Sequence, residues 1–435
     1  MKKLLSSFLL LYILLLTLFT LLVIAVHMIP RSAIEPQVKS SAEIFSQEGV
    51  YPYKPSLDGR VVVDNHTDCY MLNVAYCADN AHPVDAAMRN YRYRDHADIT
   101  VSMRHLLDGH IVREPFEYGK YWHGYLVFLR PLLTLLDYGK IRVLNGIVLT
   151  ILLVIALYLL ARRLSVGIAL CFVVALFMVH SAVIPWSLQF STCYYISLVS
   201  MIALLGFRPL SATRHRLLLC FFAIGAVTSF LDFLTTPVMT LGLPLTVAIL
   251  LDDKRCGMRF VLALCVAWCL GYGLMWASKW VLAFLLAGYN PMEEVSDSVH
   301  IHSIGKGAEP VWTYWQKMLD VMLERWSLFT AKGLSRWAII AVLAIPALLS
   351  IKGNRTCFRK YSALLFVAML TPIWYFVVAR HSYTHFLITM RALIVCWFAS
   401  LCFLYKNIDF KRLRLPWVSG FAHRQHDGVS EDDER

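Results

Sequence analysis

The sequence predicts an all-α, polytopic transmembrane helical bundle of about ten spans, with a long extracytoplasmic first loop containing membrane-lying helices. Three observations carry this. Of the 435 residues, 58% are hydrophobic and only 16% charged, against roughly 25% charged in a soluble domain. The apolar residues fall in runs long enough to be membrane spans. The basic residues behind the formal net charge of +12 gather in short clusters between those runs, as cytoplasmic loops do. They form no stripe interleaved with aromatics, so they point to a lipid bilayer and not to nucleic acid.

Taken in order, Lys2 and Lys3 precede the apolar segment Leu4 to Val26. It exceeds the ~7 to 15 residues of a signal-peptide core, and no small-residue cleavage site follows. An uncleaved first span over residues 1–29 is expected, entering from the cytoplasm. Residues 30–140 form a polar interval assigned to the outer face. Within it, Ile34, Val38, Ala42 and Phe45 recur at helical spacing, suited to a helix in the headgroup plane. The apolar run Tyr121 to Leu136 is interrupted by Arg130 and Pro131. Counting it as a span would turn every later basic cluster outward, so it is expected to lie on, or dip into, the outer leaflet.

Residues 141–288 should hold six spans: Val143 to Leu160, Ile168 to Ile184, Leu188 to Leu205, Leu217 to Phe230, Val238 to Leu251 and Phe260 to Ala287. A second outer loop, 289–337, carries Trp312, Trp315, Met318, Met322 and Trp326 as another interfacial stripe. Spans Ala338 to Leu349, Tyr361 to Ala379 and Phe386 to Tyr405 complete residues 338–405, and 406–435 form a cytoplasmic tail, disordered after Pro416. Both termini are then cytoplasmic. The 11 cysteines include no CxxC pair. Cys69 and Cys77 would lie about 12 Å apart along a helix, too far for a disulfide, and are read as free thiols.

The residues that could carry chemistry collect on the predicted outer side. Asp64 and Asp68, in DNHTDC, are four apart, so on a helix they could share a cation or raise one another's pKa, and one could act as a general base. They could equally be solvated loop carboxylates, with Asp68 capping a helix. No metal ligand set is evident beyond this option of a divalent cation. His123 and Arg130 are seven apart and would share a helix face as a seat for a lipid-linked phosphate; the plainer alternative is Arg130 snorkelling to ordinary headgroups. Asp232 and Lys279 lie at depths where charge is paired or used, either as a structural bridge to one another or as substrate contacts. His381 and His385 are one turn apart, with Arg391 about 9 Å further along the same helix, a set suited to an anion.

One span, then a long acidic outer loop with membrane-lying helices, then a bundle with further cations on the same face, resembles the GT-C class of integral-membrane glycosyltransferases. The stretches DNHTDCYMLNVAY, YWHGYLVFLRPLL, SFLDFLTTP, MWASKW and HSYTHF are also similar to a group of multispanning bacterial membrane proteins. The GT-C resemblance implies a plasma-membrane enzyme that moves a sugar from a polyprenyl-phosphate donor to an extracytoplasmic glycan or lipid acceptor. Asp64 or Asp68 would be the base, and His123, Arg130, His381, His385 and Arg391 would hold the departing phosphate. The same residues suit a transporter or flippase for an anionic lipid-linked substrate, or a non-catalytic envelope-assembly protein.

Overall fold

The computed structural model describes residues 2–52, 62–78, 80–251, 257–303, 312–317 and 355–408. Among them every regular element is helical, apart from isolated bridge residues that include the antiparallel pair Arg92 and Phe116. The helices are α1 (Lys2–His27), α2 (Arg31–Glu48), α3 (Asn65–Cys77), α4 (Pro83–Arg89), α5 (Ile99–Leu107), α6 (Leu126–Leu133), α7 (Tyr138–Arg163), α8 (Val166–Met178) and α9 (Leu188–Gly206). There follow α10 (Arg208–Ser211), α11 (Arg214–Leu231), α12 (Val238–Leu251), α13 (Met258–Ala287), α14 (Met292–Ser303), α15 (Arg355–Val377), α16 (Ala379–Thr384), α17 (Phe386–Thr389) and α18 (Leu393–Asn407). Helix starts follow from local sequence. The side chains of Asp64, Asp98, Asp137, Ser165 and Thr213 each accept an N–H from the first turn they precede, the role short polar residues fill at N-caps.

Five helices, α1, α7, α9, α11 and α13, are long and apolar enough to cross a membrane, and α8, α12 and the apolar part of α15 are shorter. The expected span Ala338 to Leu349 lies outside the described residues, as do Met318, Met322 and Trp326 of the second stripe and most of the tail.

Two expected spans are broken. The run from Ile168 stops as an α-helix at Met178, because His180 takes a left-handed conformation (φ 52) ahead of a 3-10 turn at Ser181–Trp186. The run from Phe386 is divided into α17, a 3-10 turn at Met390–Ala392, and α18. Side-chain hydroxyls satisfy the backbone there: Tyr375 donates to the Thr389 carbonyl (2.6 Å), Thr371 to that of Ala392 (2.8 Å) and Thr389 to that of Ser382 (2.9 Å). Irregular backbone in an apolar protein survives where such partners exist.

The first loop folds as a cap. The apolar stripe Ile34, Val38, Ala42 and Phe45 of α2 is buried, and α2 packs on α3, α5 and α7. The stripe read as lipid-facing is therefore spent on protein. Helix α6 has 8 residues, about 12 Å at 1.5 Å each and far short of a ~30 Å hydrocarbon core. The run it belongs to does not form a span.

The most extensive helix pairing is α11 on α13. It depends on two glycines, because a Cβ at Gly271 would lie 2.0 Å from the Phe222 carbonyl oxygen and one at Gly225 would lie 2.1 Å from that of Trp268. Small residues at such crossings let backbones approach. Since the obstructing atoms are backbone, even one methyl must push the helices apart. Gly271→Ala is expected to lower unfolding stability by about 1 to 3 kcal/mol, read as a shift in the midpoint of detergent-solubilised thermal unfolding, whereas Gly273→Ala, with open space around it, leaves the midpoint in place.

Candidate functional site

A cavity of about 250 Å³ opens between the cap and the ends of the long helices. Its basic side chains are Arg92, Arg94 and Lys120, and its imidazoles are His66, His123, His381 and His385. Tyr70, Tyr118, Tyr121, Tyr125 and Phe233 supply aromatic walls. The Arg92 guanidinium carbon lies 4.0 Å from the Tyr118 ring centre and 4.6 Å from that of Phe116, which fixes a planar cation without neutralising it. Lys120 is positioned through its carbonyl, which accepts the indole N–H of Trp276 (2.8 Å) and of Trp280 (3.1 Å). Its ammonium lies 3.5 Å from Glu294. Among the described lining residues there is no carboxylate.

The carboxylates stand one layer behind. Asp64 caps α3, accepting the Thr67 N–H (2.9 Å) and the Thr67 hydroxyl (2.6 Å). Asp232 repeats this D-x-x-T arrangement after α11, accepting the Thr235 N–H (2.9 Å) and its hydroxyl. Thr67 and Thr235 both line the cavity. Burial pushes each carboxyl up from 3.8 to about 6. At Asp64 the charge of Arg391 works against that rise. The Arg391 guanidinium carbon lies 3.6 Å from the ring centre of Phe190. Because α17 and the 3-10 turn break the helix, Arg391 is not a continuation of the His381 and His385 face; those two histidines line the cavity and Arg391 does not.

Asp68 does not cap α3. It accepts the Tyr138 hydroxyl and the N–H groups of Leu188 (2.8 Å) and Gln189 (2.9 Å), and so holds the start of α9. Burial raises its pKa. His123 lies before α6, in a left-handed conformation (φ 53), so it shares no helix face with Arg130. Its Nε2 is 3.0 Å from the Tyr118 carbonyl and Nδ1 is 3.1 Å from the Tyr125 hydroxyl. A carbonyl only accepts, so Nε2 carries the proton and Nδ1 receives the Tyr125 hydroxyl. Burial lowers the ring's pKa to about 3, which makes His123 a neutral orienter of Tyr125 and not a cation.

Arg130 and Lys279 lie away from the cavity. Arg130 is wholly buried, and all three of its nitrogens donate to carbonyls: Val26 (2.8 Å), Ile29 and Ala75. It closes the C-terminal end of α1 onto α3, as cations at helix ends do. Lys279 donates to the carbonyls of Ala87 (2.7 Å) and Met88 (2.9 Å) at the end of α4, so no bridge to Asp232 forms.

Beside the cavity runs an open groove of about 490 Å³ between α3, α6, α7, α9 and α11, walled by Leu129, Leu132, Ile141, Val148, Ile196 and Leu231. Met71 and Tyr125 line both spaces. The first turn of α9 divides them, with Leu188 facing the groove and Gln189 the cavity.

Sequence reasoning passed over Arg92, Arg94, Lys120, His66 and Gln189. The alternation in Tyr91-Arg92-Tyr93-Arg94 was the available signal, since residues two apart in an extended segment share a face, and Arg92 does sit in the extended bridge. Gln189 carried no signal at all. No family model, curated protein or solved structure matches the chain.

Two stability predictions separate the neighbouring aspartates. Asp68→Asn removes charge from three buried hydrogen bonds and should cost on the order of 2 kcal/mol, measured as a lower unfolding midpoint. For Asp64, the native carboxyl holds its proton up to about pH 6 while the unfolded one loses it near 3.8. The native state thus binds more protons in that window, and its stability falls as pH rises through it. Asparagine caps as well as aspartate, so Asp64→Asn should gain on the wild type between pH 4 and 6 and hold that gain at pH 7. A pH-independent difference in unfolding midpoint would contradict this.

Proposed function

We propose that the chain is a membrane protein that takes an anionic lipid, with its phosphate in the cationic cavity and its hydrocarbon in the adjoining groove. The observation that carries this is the junction at Met71 and Tyr125, where a space walled by Arg92, Arg94 and Lys120 meets a nearly all-apolar one. A soluble anion would need only the first space and a neutral lipid only the second. The apolar helices that bound the groove provide lateral access for a polyprenyl chain in the plane of a bilayer.

The reaction that best suits such a ligand is transfer of a sugar from a polyprenyl phosphate to an acceptor hydroxyl, which is the chemistry of the GT-C glycosyltransferases. Thr67 directs its hydroxyl proton at Asp64, so its oxygen presents a lone pair to the cavity. As the acceptor oxygen bonds to the anomeric carbon, the bond from that carbon to the phosphate oxygen breaks. The acceptor's proton passes to Thr67 Oγ1, and the Thr67 proton passes to Asp64 Oδ2. The electron pair of the broken bond leaves with the lipid phosphate, whose charge Arg92, Arg94 and Lys120 stabilise. A carboxyl with a pKa near 6 is suited to accept a proton near neutral pH. Asp68 is not assigned as a base, since its oxygens hold the start of α9.

A second reading is favoured by the lack of a carboxylate on the described cavity wall: the same site would select an anionic lipid for translocation, with no bond broken. Asp64→Asn distinguishes the two. Under the transfer reading it should lower sugar transfer to membrane acceptors about 100-fold or more while leaving polyprenyl-phosphate binding intact. Unchanged transfer would remove Asp64 from the chemistry. Arg92→Ala combined with Arg94→Ala should abolish saturable lipid binding under either reading.

A further inference from the structure

The Gln189 side chain is 1% exposed and lines the cationic cavity, yet neither its oxygen nor its nitrogen has a hydrogen-bond partner. Burying an amide with both ends unsatisfied is costly, and a chain rarely keeps such a residue where leucine would pack. The Gln189 N–H is held by Asp68 Oδ1 at 2.9 Å, so the residue's backbone is anchored at the first turn of α9. Gln189 shares the cavity lining with Thr235, His381 and the cations of the cap.

We infer that Gln189 reads a hydroxyl or amide on the ligand's headgroup, so that the favoured lipid carries a hydroxylated group on its phosphate and not a bare phosphate. The reason is the amide's dual character. Phosphate oxygens accept hydrogen bonds only, so they can satisfy the NH₂ but leave the carbonyl facing negative charge. A sugar hydroxyl donates and accepts, and two neighbouring hydroxyls satisfy both ends of one carboxamide. Sites built around such polar pairs discriminate strongly against ligands lacking the matching group. This rests on the lipid-phosphate reading above and adds to it the residue that distinguishes a sugar-bearing phosphate from a bare one.

The test uses the full chain in nanodiscs and two soluble-tailed probes, farnesyl phosphate and farnesyl phosphate bearing one hexose, with binding read by titration calorimetry. The wild type should prefer the hexosyl probe by about tenfold or more, the size expected from one or two hydrogen bonds. Gln189→Met, close in volume and without hydrogen-bonding ends, should erase that preference by weakening the hexosyl probe about tenfold more than farnesyl phosphate, with an unchanged unfolding midpoint reporting that it is folded. Gln189→Asn, which retracts the amide, serves the same purpose if the methionine variant does not fold. Equal affinity of the wild type for both probes, or a preference that survives in the variants, overturns the role of Gln189 and leaves the lipid site standing. Binding of neither probe by the wild type overturns the lipid site and this inference together.

Discussion

Asp68 and the polar knot around it are what the rest of the structure depends on. One carboxylate, buried on α3, accepts from Tyr138 on α7 and from two N–H groups that open α9. One turn along α7, Arg142 donates to Glu48 of α2 (2.9 and 3.0 Å) and to Asn65 of α3 (2.6 Å), with its guanidinium carbon 4.2 Å from the Tyr138 ring centre. Four helices from both sides of the cap junction thus meet on a few charges. Buried ion pairs contribute little net stability, because desolvation consumes the Coulomb gain, but breaking one is expensive. The knot therefore fixes register more than it adds stability: it decides where the cap sits on the long helices, and hence where a cavity opens between them.

That placement explains an asymmetry in the charges. Cations face the cavity, whereas Asp64, Asp68 and Asp232 are each turned away and used to hold a residue that does face it, namely Thr67, Gln189 and Thr235. Had the carboxylates lined the wall beside Arg92 and Arg94, they would have paired with them and cancelled the field. Held one layer back, they order the polar lining and leave the positive potential available to an incoming anion. The two D-x-x-T turns, far apart in sequence, reach the same solution because both amide and hydroxyl of a threonine fit one carboxylate.

How much of this the sequence disclosed follows from which interactions are local. The all-helical class and the long apolar helices α1, α7, α9, α11 and α13 were legible, since run length and composition report them directly. His381 and His385 were legible as a pair at helical spacing. Roles set by distant backbone were not. Arg130 reads as a membrane cation until the carbonyls of Val26, Ile29 and Ala75 are seen to surround it, and Lys279 reads as a partner for Asp232 until α4 ends against it. Asp68 looked like a helix cap because capping is a local pattern. It is a cap, but of α9, 120 residues away. Hydrogen bonds to main-chain groups leave no trace in side-chain chemistry, and so Arg130, Lys279 and Asp68 were each misplaced by partners that are carbonyls or N–H groups.

The cavity also gathers some of the chain's strained and broken backbone. His123 (φ 53) and Leu234 (φ 70) both hold left-handed conformations and both line it, though a leucine there costs of order 1 to 3 kcal/mol. Gly124, beside His123, donates its N–H to the Phe230 carbonyl (2.9 Å), and a Cβ would lie 2.4 Å from that oxygen, so only glycine lets the loop close on α11. The third wall is the interrupted helix that carries His381 and His385. Regular helices running past one another would pack these positions shut. The strain at Leu234 and the break after Thr384 are therefore parts of one device: they hold backbone and imidazoles away from the close packing that governs the rest of the molecule, at the place where the groove between α7, α9 and α11 reaches charge.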